Sequence, residues 1–179
     1  MGQELHIAAY DPRWALEFAA ERERIARALG PVARRIDHHG STAVPGLEAK
    51  PIIDIQVSVE RLERMRAYAE PLAALGYVHV AHADDAVCPF FHRPRDWPHT
   101  HHVHVVEHGG LEERRTLAFR DYLREHEDVA REYAALKKLL AAQADAVDAE
   151  SREEYARAKS EFVERVVAAA LAAGYPREL

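Results

Sequence analysis

Apolar and polar residues alternate most regularly at residues 51–59, where Ile53, Ile55 and Val57 are interleaved with Asp54, Gln56 and Ser58. A period of two predicts a strand with one face for a core and a second, polar face. Residues 101–107 repeat the pattern, with Val103 and Val105 opposite His102, His104 and Val106. Further strands are expected at 33–39, 77–81 and 86–93, the last two around an Asp84-Asp85 turn, with a polar loop at 95–99 containing Trp97-Pro98. Elsewhere the spacing is helical. Trp14, Phe18, Ile25 and Leu29 predict a helix capped by Asp11, opened by Pro12 and stopped at Gly30-Pro31. A second helix is predicted at 60–75, with Pro71 breaking or kinking it and Gly76 ending it.

From residue 111 the pattern is helical throughout, with helices at about 111–126, 128–143 and 151–173. Leu117, Tyr122, Val129, Tyr133, Leu136 and Leu140 mark the buried side of the first two; Tyr155, Phe162, Val166 and Ala170 mark that of the third. The expected class is α+β: a small mixed sheet with flanking helices and a C-terminal helical bundle. Residues 1–110 would form the core and 111–179 a helical region packed on it as one compact unit.

Composition narrows the picture. At 179 residues and 48% apolar, the chain fits one domain with a proper core. A net charge of −6 argues against general nucleic-acid binding, though not against a local basic pocket. The one cysteine, Cys88, cannot form an internal disulfide and fits a reducing compartment. The first residues lack the apolar core of a signal peptide, His6 stands where a myristoylation signal wants Ser or Thr, and no apolar run reaches membrane-spanning length. A soluble, cytoplasmic protein is expected; the sequence specifies no oligomeric state.

The polar strand face carries the candidate chemistry. A carboxylate inside an apolar run, as at Asp54, is costly unless paired, hydrogen-bonded or bound to metal. Before it lies a Gly40-Ser41 turn that can hold phosphate, so Asp54 could hold Mg2+ beside a nucleotide. His102 and His104, two residues apart, share a face and with Asp54 would suit Zn2+, Mn2+ or Fe2+ better. The bland alternative is that these histidines hydrogen-bond a nucleotide or nearby carboxylates without metal. Lys50, Arg120, Arg124, Lys137 and Lys159 are candidate phosphate contacts. Tyr133 and Lys137, like Tyr155 and Lys159, are four apart on one helix face, which equally describes a solvated ion-pair surface with Tyr in the core. Gly40, Gly46 and Lys50 do not form a P-loop, and neither G-x-S-x-G nor H-E-x-x-H occurs.

The segment GSTAVPGLEAKPIIDI (40–55) resembles the signature of the GrpB (glutamate-rich protein B) family. The likeness continues in THHVHVVEHGG (100–110), LAFRDYLREH (117–126), EYAALKKLLA (132–141) and the spaced Tyr155, Lys159 and Phe162. It implies a nucleotidyltransferase-like fold, with Gly40, Ser41 and Thr42 at the phosphate turn. Asp54 and Gln56 fall at the catalytic pair, and Gln56 stands where that superfamily carries its second acid. The resemblance also covers His38, His102, His104, Arg120, Tyr133, Lys137, Tyr155 and Lys159, whereas His39 replaces an aliphatic residue. The implied function is binding of a nucleotide or phosphorylated small molecule, with nucleotidyl transfer to a small acceptor and a divalent cofactor, Mg2+ or Mn2+, with Zn2+ an option. Two alternatives stay open: a His/Asp transition-metal site, and a non-catalytic accessory domain linked to coenzyme A metabolism, since family members occur fused to dephospho-CoA kinases.

Overall fold

The computed structural model describes residues 7–144 and 149–177, without the side chains of 140, 141, 143, 144, 149–156 and 158, so the Leu140 and Tyr155 expectations lie outside the described residues. Helix α1 (Arg13–Leu29) starts as its sequence requires: the Asp11 carboxylate accepts the Arg13 backbone N–H at 2.9 Å. It ends at Gly30, whose φ of 51° is open to glycine. Along one stripe it buries Trp14, Glu21, Ile25 and Leu29. Glu21 is tolerated there because the Tyr77 hydroxyl donates to it at 3.0 Å and Arg93 at 3.1 Å.

Strands β1 (Ala33–His39), β2 (Ile53–Val59), β3 (Val78–Val80), β4 (Phe90–Arg93) and β5 (His101–Glu107) form one sheet in the order β1-β2-β5-β4-β3. The β2–β5 pair is parallel and the others are antiparallel. A parallel pair needs a crossover, which helix α2 (Met65–Ala74) and the β3–β4 hairpin supply. Helices α1 and α2 cover the apolar face. Ile53, Ile55, Val57, Phe91, Val103 and Val105 meet Trp14, Ile25, Tyr68 and Leu72 in the main core.

Helices α3 (Leu111–Glu125), α4 (Glu127–Ala144) and α5 (Ala149–Ala172) close around the turn after β1. Leu123, Ala130, Tyr133, Phe162 and Val166 pack on Val44 and Leu47 in a second cluster. The sheet is mixed and the class α+β, as the patterning predicts.

Two elements, the second helix and the fourth strand, begin four or five residues later than expected. The second helix begins at Met65 rather than residue 60, because the Tyr68 hydroxyl donates to the Leu62 carbonyl at 2.7 Å and holds the preceding residues in a turn. Pro71 lies inside it without ending it, buried Tyr68 and Leu72 holding both sides. The strand expected at 86–93 begins at Phe90, because residues 83–86 form a 3-10 turn capped by His82, whose Nδ1 accepts the Asp84 N–H at 3.1 Å. Among the described residues no helix is long and apolar enough to cross a membrane.

Candidate functional site

Strand register places the chemistry. On the face opposite the main core, His39, Asp54, His102 and His92 lie side by side across β1, β2, β5 and β4; Asp37, Gln56, His104 and Phe90 form the next rung. Asp54 Oδ1 is 3.3 Å from His102 Nδ1 and 3.9 Å from His104 Nε2. One ligand atom from each lies within 4.8 Å of the others, a set able to hold one metal ion. The remaining ring nitrogens have partners of their own. His102 Nε2 is 3.3 Å from His99 Nδ1, and His104 Nδ1 is 3.8 Å from the Cys88 thiol. Such partners orient ligating imidazoles.

The turn after β1 approaches this cluster because of one glycine. Gly40 has φ 69°, and a Cβ there would fall 2.4 Å from Asp54 Oδ2. Only a residue without a side chain fits. Ser41 follows in a 3-10 turn, where Lys137 Nζ donates to its hydroxyl at 2.9 Å and to the Glu48 carbonyl at 2.6 Å. Two arginines of α3 hold the turn from behind: Arg120 donates to the His38 carbonyl at 3.1 Å, Arg124 to that of Ala43 at 2.9 Å.

Electrostatics sort the groups into carboxylates, neutral rings and crowded cations. Burial, the largest influence, pushes the Asp54 carboxyl up, but the hydrogen bond from His102 and the fields of His39, His104 and His102 outweigh it and leave it lowered. Asp54 is therefore ionised at neutral pH. Burial lowers His104, with His102 adding to it and Asp54 opposing. Burial also takes His39 down to about 3, so both rings are neutral at pH 7. Lys137 falls to about 8, through burial first and then the charge of Lys159, against Glu48 and Asp54. Lys50 is lowered by burial and by Lys159. Three lysine ammoniums thus crowd one another beside two carboxylates, Asp54 and Glu48.

Gly40, Ser41, Asp54, His102, His104 and Lys137 converge, with Lys50 and Lys159 within their field. Four expected residues are placed differently. Thr42 turns inward, donating to the Ile52 carbonyl at 3.2 Å and meeting His38 Nε2 at 3.0 Å. Arg120 is buried in an ion-pair network with Asp121 at 2.7 Å and Asp37 at 3.7 Å. Tyr133 is sealed between Phe119 and Phe162, its hydroxyl raised to about 12 by burial and by Asp54, so no base can stack on it. Gln56, 1% exposed, points its amide at the Glu113 carbonyl of α3, 3.5 Å away.

Sequence reasoning set His39 aside as a replacement of an aliphatic residue, read Cys88 as a lone thiol without a site role, and gave no role to His99 or the Glu48 carbonyl. His99 directly precedes the histidine-bearing segment 100–110; a backbone carbonyl such as that of Glu48 carries no local signal. His99 also stacks on His92 at 3.9 Å, with Trp97 edge-on at 5.1 Å and Phe90 5.0 Å from both His102 and His104, giving the site an aromatic wall.

The family described as GrpB protein matches residues 4–169. The chain is 32% identical to the glutamate-rich protein GrpB of Alkalihalophilus pseudofirmus, over 92% of this chain and 94% of that one. Protein YqkA of Bacillus subtilis is 38% identical over 90% of this chain, which spans only 46% of that relative's length. A dephospho-CoA kinase of Mycolicibacterium paratuberculosis is 32% identical over 75% of this chain and 39% of its own. The crystal structure of conserved protein GrpB from Enterococcus faecalis superposes with a TM-score of 0.80 at 32% identity, covering 93% of this chain and 98% of that one. The Cid1 poly(U) polymerase superposes at 0.51 with 16% identity, over 76% of this chain and 44% of its own, a likeness of nucleotidyltransferase-type fold alone.

Proposed function

This chain belongs to the GrpB protein family, and from the geometry of its cleft we infer that it binds a nucleotide or another phosphorylated small molecule together with one divalent cation. The observation that carries this reading is the position of Lys137. Its ammonium is fixed 2.9 Å from the Ser41 hydroxyl and brought down to about 8, by burial first and then by the charges of Lys159 and Lys50, against Glu48 and Asp54. Clustered cations repel one another, and a polyanion between them converts that repulsion into attraction.

The donor set does not fit the two Mg2+ ions of nucleotidyl transfer, which need a second acid where Gln56 stands buried against Glu113. It fits a single ion. Asp54 supplies charge and His102 and His104 supply neutral nitrogens, within 4.8 Å of one another. Bound there, an ion would act as a Lewis acid toward a phosphate oxygen. The chain's own groups bind and orient: Ser41 and the lysines hold phosphate, while α3 keeps the turn in place through Arg120 and Arg124. Nucleotidyl transfer to a small acceptor, were the site to serve it, would have to run on that single ion rather than on the usual pair.

A second reading is a non-catalytic domain that retains ligand binding beside coenzyme A enzymes, favoured by the dephospho-CoA kinase relative. Calorimetry with ATP, CTP and dephospho-CoA, each with and without Mn2+ or Zn2+, tests both. Nucleotide binding that needs the metal, and is lost in Lys137→Met, is expected. Failure of every phosphorylated ligand to bind overturns the proposal. Binding without turnover of the nucleotide selects the second reading.

A further inference from the structure

We propose that His39 is a fourth donor to the ion held by Asp54, His102 and His104, and that the site therefore takes a nitrogen-preferring transition metal, of the Zn2+ or Co2+ kind, in preference to Mg2+. This rests on the metal reading above and adds a ligand and a selectivity to it.

The starting point is two buried polar atoms without partners. His39 is 9% exposed and Gln56 1%. His39 Nε2 and Gln56 Oε1 are both sealed from solvent, and neither meets a hydrogen-bond partner among the described residues. An orphaned buried polar atom forfeits its hydration without recompense, and an ion or water bound there is a standard reason for one. The two residues lie on the same sheet face and flank one carboxylate. His39 is the cross-strand partner of Asp54, and Gln56 follows Asp54 by two residues. The His39 ring stands edge-on to that of His104, centroids 4.9 Å apart.

His39 lies outside the set whose donor atoms fall within 4.8 Å of one another. Coordination therefore requires its ring to rotate inward, on a strand whose backbone pairing with β2 already fixes its Cα beside Asp54. Burial places His39 at the floor of the site. The His102 and His104 side chains, 21% and 30% exposed, face the opening, where a phosphate oxygen or water can complete the coordination.

Metal choice follows from the donors. Three imidazoles and one carboxylate carry a single negative charge. Mg2+ demands oxygen ligands in near-ideal octahedral geometry and gives up water reluctantly, whereas neutral imidazole suits Zn2+, Co2+ and their neighbours. A buried amide oxygen from Gln56 leaves that preference in place, since it adds no charge.

The test uses the full chain, with Co2+ as a spectroscopic probe and calorimetric titration of Zn2+ and Mg2+. Wild type should bind Zn2+ at least 100-fold more tightly than Mg2+ and give a visible Co2+ spectrum. In His39→Leu, Co2+ affinity should fall by roughly 10–100-fold, the range seen when metal-site partners are removed, and the absorption bands should shift. His39→Gln, closer in shape and polarity, provides the same comparison if the leucine variant folds poorly. Unchanged affinity and spectrum in both variants would overturn the assignment of His39. So would wild type binding Mg2+ as tightly as Zn2+. Pyrophosphate serves as a metal-free control: if it binds the lysines while no metal binds wild type, the ion site itself is overturned and the phosphate reading survives.

Discussion

On one face of β2 and β5, Ile53, Ile55, Val57, Val103 and Val105 are between 0 and 1% exposed. One residue along, on the other face, the side chains of Asp54, His102 and His104 are 25%, 21% and 30% exposed. The same backbone and the same alternation serve both. The apolar face is fixed by burial against α1 and α2, a non-directional force that any close-packed arrangement of similar volume satisfies. The polar face is fixed by particular atoms: a glycine that lets the turn reach Asp54, two arginines that hold the turn, and a lysine tied to Ser41. Stability should therefore reside on the first face and ligand binding on the second, and substitutions on each should separate the two properties.

The largest stability effect is expected from Ile55→Ala. Removing a fully buried branched side chain costs about 2–5 kcal/mol, and at this length each kcal/mol lowers the melting temperature by roughly 2–4 °C. Urea melts should show the loss, and calorimetry on the folded protein should give wild-type phosphate affinity. A large loss of affinity would show that the two faces are coupled.

Gly40→Val should come next, because it damages both properties. At φ 69° a branched residue is strained, and its Cβ would meet Asp54 Oδ2. A loss of about 2–3 kcal/mol is expected, together with loss of Co2+ and nucleotide binding. Retained binding would mean that the turn can withdraw from Asp54 without consequence.

Lys137 gives a smaller effect with a pH signature. Its pKa in the fold is about 8, below the ordinary 10.5, so between those values the unfolded chain holds more protons and stability rises with pH. The unfavourable contribution is complete below pH 8. Melts of wild type from pH 7 to 10.5 should gain roughly 1–2 kcal/mol, allowing for partial solvent screening, relative to Lys137→Met. Phosphate affinity should weaken over the same interval as the ammonium discharges. A flat difference between the two proteins would remove the electrostatic argument.

The smallest stability change, within about 1 kcal/mol, is expected from Asp54→Asn, since lost pairing with His102 is offset by relief of a desolvated charge. Metal-dependent nucleotide binding should nevertheless fall more than 100-fold. A fall of several kcal/mol with binding retained would make Asp54 a structural residue and erase the distinction between the faces.

Much of this was legible locally. The alternation of 53–58 and 102–106 assigned each residue to its face, and Gly40-Ser41 followed by Asp54 marked the turn and its carboxylate. The rest required neighbours. Nothing near Arg120 in sequence shows that Asp37 reaches it, or near Tyr133 that Phe119 and Phe162 do. Residue 60 looked helical because its segment has good helix formers, and Tyr68's bond to the Leu62 carbonyl overrides that preference. His39 stood out only as a replacement of an aliphatic residue, because its place beside Asp54 exists only through the β1–β2 register.

By itself, then, the sequence determined the elements, the two-faced strands, the glycine at the turn and the types of donor available, since these depend on backbone sterics and on a periodicity that acts over a few residues. The tertiary structure decided which donors meet. Parallel pairing of β2 with β5 brings Asp54 beside His102, and α4 delivers Lys137 to Ser41, 96 positions earlier in the chain. It also decided which polar groups the fold covers: α3 closes over Gln56 and leaves His104 partly open. A period of two says which way a side chain points, and only the packing of distant segments says what waits there.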